Sequence, residues 1–397
     1  MKKSMPMESS VRLGLENLIA SPPPYMKGKK LGLLCNPASV DELFTHASIL
    51  IDRHFPGQLT TLFSPQHGFY AEKQDNMIES DHFIEPTLNL PVYSLYGETR
   101  IPTPKMFENI DILLVDIQDV GTRVYTFIYT VSHCMETAAA LGKQVIILDR
   151  PNPIGGLQVE GNLLEPEYGS FVGRYPVPMR HGLTIGEICR FFNEHFNIGC
   201  DLVIIPMTGW KRSMYWDQTL RTWIPPSPNL PTQLSCMVYP GQVVFEGTNI
   251  SEGRGTTLPF EQFGAPFIHP QIIKEAADPY ITGAFLRIAG FEPTSGKWCA
   301  KPCRGFHLHV TDKNSFQPYF TSLLLMQLIL RYHGDEFKFK EPPYEYEFEK
   351  LPMDLILGSK TLREQITEQT DIMDISRSWQ KETQLFKSIS GKFYQYE

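Results

Sequence analysis

No apolar run in the 397 residues approaches the length needed to cross a bilayer, so the expectation is a soluble protein. No Lys/Arg-rich cluster or RNA-binding aromatic motif occurs and the formal net charge is −8, which argues against a nucleic-acid partner. The first strand-like run is not followed by G-x-G-x-x-G, and G-x-x-x-x-G-K-[ST] is missing altogether, so the common nucleotide-binding sheets find no support. There is no G-x-S-x-G elbow, which counts against a serine hydrolase. After Lys2 and Lys3 no continuous apolar stretch follows, because Pro6, Glu8, Ser9, Ser10 and Arg12 interrupt it. The chain therefore reads as cytoplasmic, or as exported only if a leader precedes this sequence. Cysteine is sparse: seven residues, an odd number at scattered spacings, read as reduced core thiols. Cys299 and Cys303 are the one close pair. Without a second ligand pair they do not make a zinc site, and His307 and His309 read as structural. No metal or organic cofactor is expected.

What the chain does contain is 42% hydrophobic and 20% charged residues, the balance of a globular protein long enough for two domains. "KLGLLCNP", "LTTLFSP", "DILLVDIQD", "QVIILDRP" and "DLVIIPM" are continuous apolar runs, as strands buried on both faces of a parallel sheet require. Helical patterns lie between them, clearest in "TFIYTVSHCMETAAALG", which Gly142 ends, and in "TIGEICRFFNEHF", with Thr184 as N-cap and Glu187 three residues on. The first part is thus a doubly wound, mostly parallel α/β domain. The proline-dense "WIPPSPNLPT" (Trp223 to Thr232) links it to a smaller α+β part, with the boundary placed between residues 228 and 229.

In doubly wound sheets ligands bind beyond the carboxyl ends of the strands. Here those ends carry Asn36, Gln66 and His67, Asp116 and Asp119, then Asp149, Arg150 and Asn152. Any one polar strand end is explained by contact with water; four in a row point to a shared site. A second concentration of polar groups is the Gly-rich "VVFEGTNISEGRGTTLPFEQFGAP", read as a loop, where Glu246, Asn249, Glu252 and Arg254 stand among turn-forming residues. Loops that carry this much polar chemistry on a rigid scaffold are usually functional. Glycoside cleavage needs carboxyl groups flanking the scissile bond, and sugar recognition needs hydrogen-bonding side chains with flat aromatic surfaces. Carboxylates at Asp116, Asp119, Glu160, Glu246 and Glu252 and aromatics including Tyr125, Tyr129, Trp216 and Trp223 supply both.

The ordered set "FSPQHGF", "PVYSLYG", "DIQDVGTRVYTFIYT", "LDRPNPIGG", "EGNLLEPEYGSFVG", "PMRHGLTIGE", "GWKR", "PSPNLPT" and "FEGTNISEGRGTT" resembles the exo-β-N-acetylmuramidases of the NamZ type, from about Leu13 to near the end of the chain. The resemblance implies a Rossmann-like domain and a smaller C-terminal one with a cleft between them. It also implies release of N-acetylmuramic acid from the non-reducing end of peptidoglycan fragments, in cell-wall recycling. On that basis Glu252 or Glu246 is the expected general acid. Asp116 or Asp119 is then the base, or orients the 2-acetamido group for substrate assistance. Arg254, Arg123 or Arg180 would bind the lactyl carboxylate; His67, Asn152, His181 and Asn249 would bind hydroxyls, beside Gln66 and Tyr125. Many members of that family read P-E-H-G where this sequence reads "PQHG". Since the amide of Gln66 neither gives nor takes a proton, either another carboxyl does the acid work or the chain is a muropeptide-binding sensor. An enzyme acting on a phosphorylated sugar, with "SEGRGTT" as an anion nest, is the third reading.

Overall fold

Side chains alternate between the two faces of a strand, so a run that is apolar at every position is satisfied only between two layers. In the computed structural model, which describes residues 10–75 and 77–397, four of the five runs expected as strands are placed in this way, and the fifth, Asp201–Ile205, is a half-buried edge strand. Residues 1–9, which include most of the segment on which the leader expectation rests, lie outside the described residues. Nine strands precede the linker among those described: β1 (Leu31–Cys35), β2 (Leu59–Ser64), β3 (Phe83–Glu85), β4 (Leu90–Ser94), β5 (Ile112–Asp116), β6 (Gln144–Leu148), β7 (Glu160–Leu163), β8 (Pro178–Arg180) and β9 (Asp201–Ile205). Seven of them form one sheet in the order β3-β4-β2-β1-β5-β6-β9, parallel except where β3 runs against β4.

Leu31, Leu33 and Cys35 of β1 pack with Leu15, Leu18, Ala47 and Ile51 on one face of this sheet. Leu34, Leu113, Val115, Val145 and Ile147 join Ile128, Val131, Ile188 and Phe192 on the other. Each such side chain removed from water contributes roughly 1.5–3 kcal/mol, and this burial on both faces holds the layers together. The helix Ile185–His195 begins in the capping box read from the sequence: Thr184 Oγ1 accepts from Glu187 N–H at 3.2 Å, and Glu187 Oε2 accepts from Thr184 N–H at 3.0 Å. The helix Phe127–Ala140 runs out just before Gly142, which holds φ +62°. β3, β4 and the hairpin of β7 with β8 were not expected. They are three to five residues long, and Pro91 and Pro178 interrupt the pattern that would mark them.

Beyond the linker, β10 (Gln262–Ala265), β11 (Ala284–Phe291) and β12 (Cys303–Val310) form an antiparallel sheet in the order β10-β12-β11, backed by helices, so this part is α+β. The helices Gln233–Gln242 and Pro318–His333 approach so closely that a Cβ on Gly241 would lie 1.9 Å from the Pro318 carbonyl oxygen. The last residues then cross back to the first sheet, where the Tyr396 hydroxyl donates to Asp149 Oδ2 at 2.6 Å and Arg212 N–H donates to the Glu397 carbonyl at 2.8 Å. Six of the seven cysteines are buried and all are free; Cys299 is exposed. Among the described residues no helix is long and apolar enough to cross a membrane.

Candidate active site

The chain turns from one side of the sheet to the other at β1 and β5, and their carboxyl ends should open a crevice. Here a pocket of about 280 Å³ is lined in part by Ala38, Val40 and Arg150, and beside it the polar strand-end side chains bind one another. Asp116 is fully buried and receives Arg150 Nε at 2.5 Å and Nη2 at 2.8 Å, while Ser39 Oγ donates to its carbonyl. Asn36 Nδ2 donates to the Gln118 carbonyl at 3.3 Å. Asp116 therefore holds strand ends together and does not face a ligand, contrary to its expected role as base. Asp119 accepts from Gly121 N–H at 2.7 Å and lies 3.6 Å from the buried His181 Nε2. Asn152 ties Leu183 O to Ile154 N–H, at 3.0 and 3.1 Å, and so shapes a turn.

Two of the expected lactyl-binding arginines are also structural. Arg123 is fully buried and donates to four backbone carbonyls, those of Asn162 (2.8 Å), Val177 (3.0 Å), Ile356 (3.1 Å) and Leu357 (2.7 Å). Arg180, likewise buried, donates to Gln158 Oε1 and the Ile154 carbonyl. Asn249 pins its own loop, donating to Glu336 O at 2.8 Å and accepting from Lys338 N–H at 3.0 Å.

The remaining candidates converge. Gln66 and His67 after β2, Val124–Phe127 after β5, and Ser227, Asn229 and Leu230 of the linker form one side of a narrow cavity of about 30 Å³. Tyr239, Glu246, Arg254, Phe260, Tyr344 and Glu345 form the other side. The Gly-rich segment thus meets the end of β2. It is not all loop, since Val243–Gly247 is a 3-10 helix that places Glu246, and β10 closes the segment. Three lining residues hold left-handed backbone although none is glycine: His67 (φ +77°), Phe260 (φ +62°) and Glu345 (φ +46°). Each such position costs about 1–3 kcal/mol, and strain of this kind gathers where placing a side chain matters more than stability. A wider groove of about 570 Å³ on the far side of the linker, with Tyr215, Trp216 and Trp223, has one carboxylate, Asp217, which is half exposed and paired with Lys313 at 2.7 Å. The larger groove therefore lacks the chemistry that the smaller cavity has.

That chemistry is a set of carboxyl groups in opposed environments. Burial alone would raise Glu246, but Arg254 (Nη2 to Oε1 2.6 Å), the Tyr344 hydroxyl (to Oε2 2.8 Å) and the charge of Lys297 outweigh it and hold the carboxyl below its ordinary range. These contacts favour the ionised form of Glu246, whereas its expected role as acid needs the neutral one. Glu252 accepts from Lys297 Nζ at 2.8 Å and faces Arg254 Nε at 3.3 Å; it supports Arg254 and is not among the lining residues. Arg254 is thus held between the two carboxylates, Glu246 and Glu252. His67 is pushed down to about 4 by burial, with the charge of Arg254 adding to it, so its ring is neutral at pH 7. Its Nδ1 contacts the Lys73 carbonyl at 2.7 Å; a carbonyl only accepts, so the proton is on Nδ1 and Nε2 is an acceptor.

Glu345, in "PPYEYEFE", escaped the sequence reading. It is 4% exposed, receives Gln66 Nε2 at 3.2 Å on Oε1 and touches the Tyr96 hydroxyl at 2.6 Å through Oε2. Burial, with the neighbouring Glu246 charge adding to it, pushes its carboxyl above the usual range against the hydrogen bonds from Tyr96 and Gln66, which favour the anion. Two glutamates in one cavity whose environments drive them apart are the usual signature of an acid and a base at work together. The signal that could have found Glu345 is its alternation with tyrosines directly after a proline pair.

Two domain descriptions cover nearly the whole chain: the N-terminal part of the exo-β-N-acetylmuramidase NamZ over residues 31–234, and its C-terminal part over residues 237–396. This chain belongs to the NamZ family. It is 41% identical over 396 residues to the peptidoglycan β-N-acetylmuramidase NamZ of Bacillus subtilis (strain 168), a match spanning 100% of this chain and 94% of that protein. Two crystal structures of DUF1343 family proteins from Bacteroides fragilis share the fold. One has a TM-score of 0.87 at 32% identity, the other 0.73 at 28%, each covering 98% of this chain and 99% of theirs. Within the family architecture, the cavity described above lies where the N-terminal and C-terminal parts meet.

Proposed function

We propose that this chain releases N-acetylmuramic acid from the non-reducing end of peptidoglycan fragments. Membership of the family makes the chain a glycosidase. The observation that supports the reading most directly is the pairing of Glu246 and Glu345, held toward opposite protonation states in one cavity. At about 30 Å³ the cavity must widen even for one pyranose. Both halves supply its walls, so a change in their relative position widens it.

N-acetylmuramic acid differs from N-acetylglucosamine by its lactyl carboxylate. Arg254 is the one guanidinium among the described lining residues, and with Lys297 it balances Glu246 and Glu252. An anionic substrate therefore meets no net negative charge while Glu345 is protonated. His67 Nε2 and Asn229 are placed for hydroxyls. The free, mostly buried cysteines support a place in a reducing compartment, where such an enzyme would act in recycling. The test is turnover of a chromogenic N-acetylmuramide against the matching N-acetylglucosaminide. Wild type should prefer the muramide, and Arg254→Ala should lose about one to two decades more on it, the worth of a charge-assisted pair. Equal losses on both sugars would remove Arg254 from lactyl recognition. Gln66 favours the alternative, a muropeptide sensor, whose signature would be tight binding of the sugar with no turnover.

A further inference from the structure

Gln66 occupies the cavity wall after β2 and has an amide where a proton donor would be useful. Its orientation is settled by its partners: Thr126 Oγ1 donates to Gln66 Oε1 at 2.8 Å, so Nε2 points at Glu345 Oε1, 3.2 Å away. An amide N–H only donates, which reserves Oε1 of Glu345 as an acceptor and leaves Oε2 as the oxygen that can carry a proton. Oε2 lies 2.6 Å from the Tyr96 hydroxyl, which also accepts from Met77 N–H at 3.1 Å. That hydroxyl donates to Oε2, which leaves the proton that Oε2 carries in the neutral acid for a leaving group.

We propose that Glu345 is the proton donor of the glycosidase reaction, with Gln66 and Tyr96 as the residues that orient it. The proposal rests on the functional reading above and assigns the step that Gln66 cannot perform. The C1–O bond of the muramide breaks with its electron pair moving to the leaving oxygen, which takes the proton from Glu345 Oε2. Water then adds its hydroxyl at C1, and the proton it gives up returns the Glu345 carboxylate to the neutral acid. The Glu345 carboxylate formed in between is met by the Gln66 N–H on one oxygen and the Tyr96 O–H on the other, so the buried charge is paired as it appears. The charge balance of the cavity agrees: Glu246 is held ionised by Arg254 and Tyr344, and a second carboxylate beside it is disfavoured until the leaving group has taken the proton. The left-handed backbone of Glu345 (φ +46°) and of Tyr346 (φ +69°), within a turn closed by the Tyr344–Glu347 bridge, is what turns this carboxyl into the cavity.

The experiment compares wild type, Glu345→Gln and the exchange variant Gln66→Glu/Glu345→Gln on two muramides. One carries a sugar as leaving group, the other an acidic phenol. A sugar alkoxide must be protonated as it leaves and a phenolate need not be. Loss of the donor should therefore lower kcat on the disaccharide by on the order of 10²-fold or more, with a loss at least tenfold smaller on the aryl muramide. The exchange variant returns a carboxyl to the same corner and should recover at least tenfold on the disaccharide relative to Glu345→Gln. Equal losses on both substrates, or no recovery in the exchange variant, would overturn the assignment of Glu345. If wild type turned over neither muramide, the functional reading itself would fall and the assignment with it.

Discussion

The same side-chain carboxyl is set to different tasks by its surroundings. Glu246 is stabilised as an anion by a guanidinium, Glu345 is driven toward the neutral acid, and Glu160, at the start of β7, is raised by burial to about 7. Glu160 accepts from Phe320 N–H at 2.7 Å, and the charge of Arg180 favours its ionisation, but neither offsets the loss of water. In the unfolded chain a glutamate titrates near about 4.3. Between that value and about 7 the native protein keeps a proton that the unfolded chain has released, so stability falls as pH rises through this window, by about 1.4 kcal/mol per pH unit. Glu160→Gln removes the ionisation. Denaturant unfolding at pH 5 and pH 7.5 should show the variant gaining on the wild type by on the order of 2 kcal/mol; a gap independent of pH would count against this account.

Arg123 shows how one side chain can join elements. Its guanidinium collects carbonyls from β7 and from just before β8 on one side, and on the other the last two carbonyls of the helix Pro352–Leu357. Those terminal carbonyls have no partner within the helix and carry its negative end, so a buried cation suits them. Gly358, at φ +67°, ends the helix and leaves the space, since a Cβ there would lie 3.2 Å from Arg123 Nη2 and still nearer to Leu164. Arg123→Met takes this donor from four buried carbonyls, of which Leu357 O keeps Asn162 Nδ2 at 2.9 Å. It should lower stability by roughly 3–5 kcal/mol, read by thermal unfolding, while the muramide preference of the folded protein stays that of wild type. A variant of normal stability with altered sugar preference would restore Arg123 to the binding site.

At the scale of the whole molecule, the two halves are joined by more than the linker. Tyr394 lies over the Arg212 guanidinium at 3.5 Å, Arg212 holds Glu187 at 2.7 Å, and Gln395 N–H reaches the same glutamate at 2.9 Å. The Tyr396 hydroxyl closes the set on Asp149, which accepts from Gly186 N–H at 2.8 Å at the start of the helix Ile185–His195. The end of the chain is therefore a clasp on the first sheet. Tyr396→Phe should cost about 1–3 kcal/mol by removing one hydrogen bond to a buried carboxyl, and deletion of residues 394–397 should cost more. Thermal unfolding of both variants checks this; a deletion as stable as wild type would show that the clasp contributes nothing.

The parallel sheet was legible because its evidence is local: β1, β5, β6 and β9 are apolar at nearly every position and β2 at half of them, and Thr184, Glu187 and Gly142 are helix signals that act within a few residues. Gln66, His67, Glu246 and Arg254 stood out as polar groups at a strand end and in a Gly-rich segment, and the fold brings them to one cavity. Asp116 and Arg123 look the same in the sequence, because a buried ion pair or a carbonyl clasp uses the same residue types as a catalytic site, and only the partner decides between them. Those partners, Arg150 and the helix end at Leu357, lie 34 and 234 residues further along. Glu345 comes to Gln66 across 279 residues, and its raised carboxyl exists only once the fold has removed water from it and set Glu246 alongside. Amino-acid pattern determines which segments bury themselves; which carboxyl is neutral and which is charged depends on distances that exist only after they have done so.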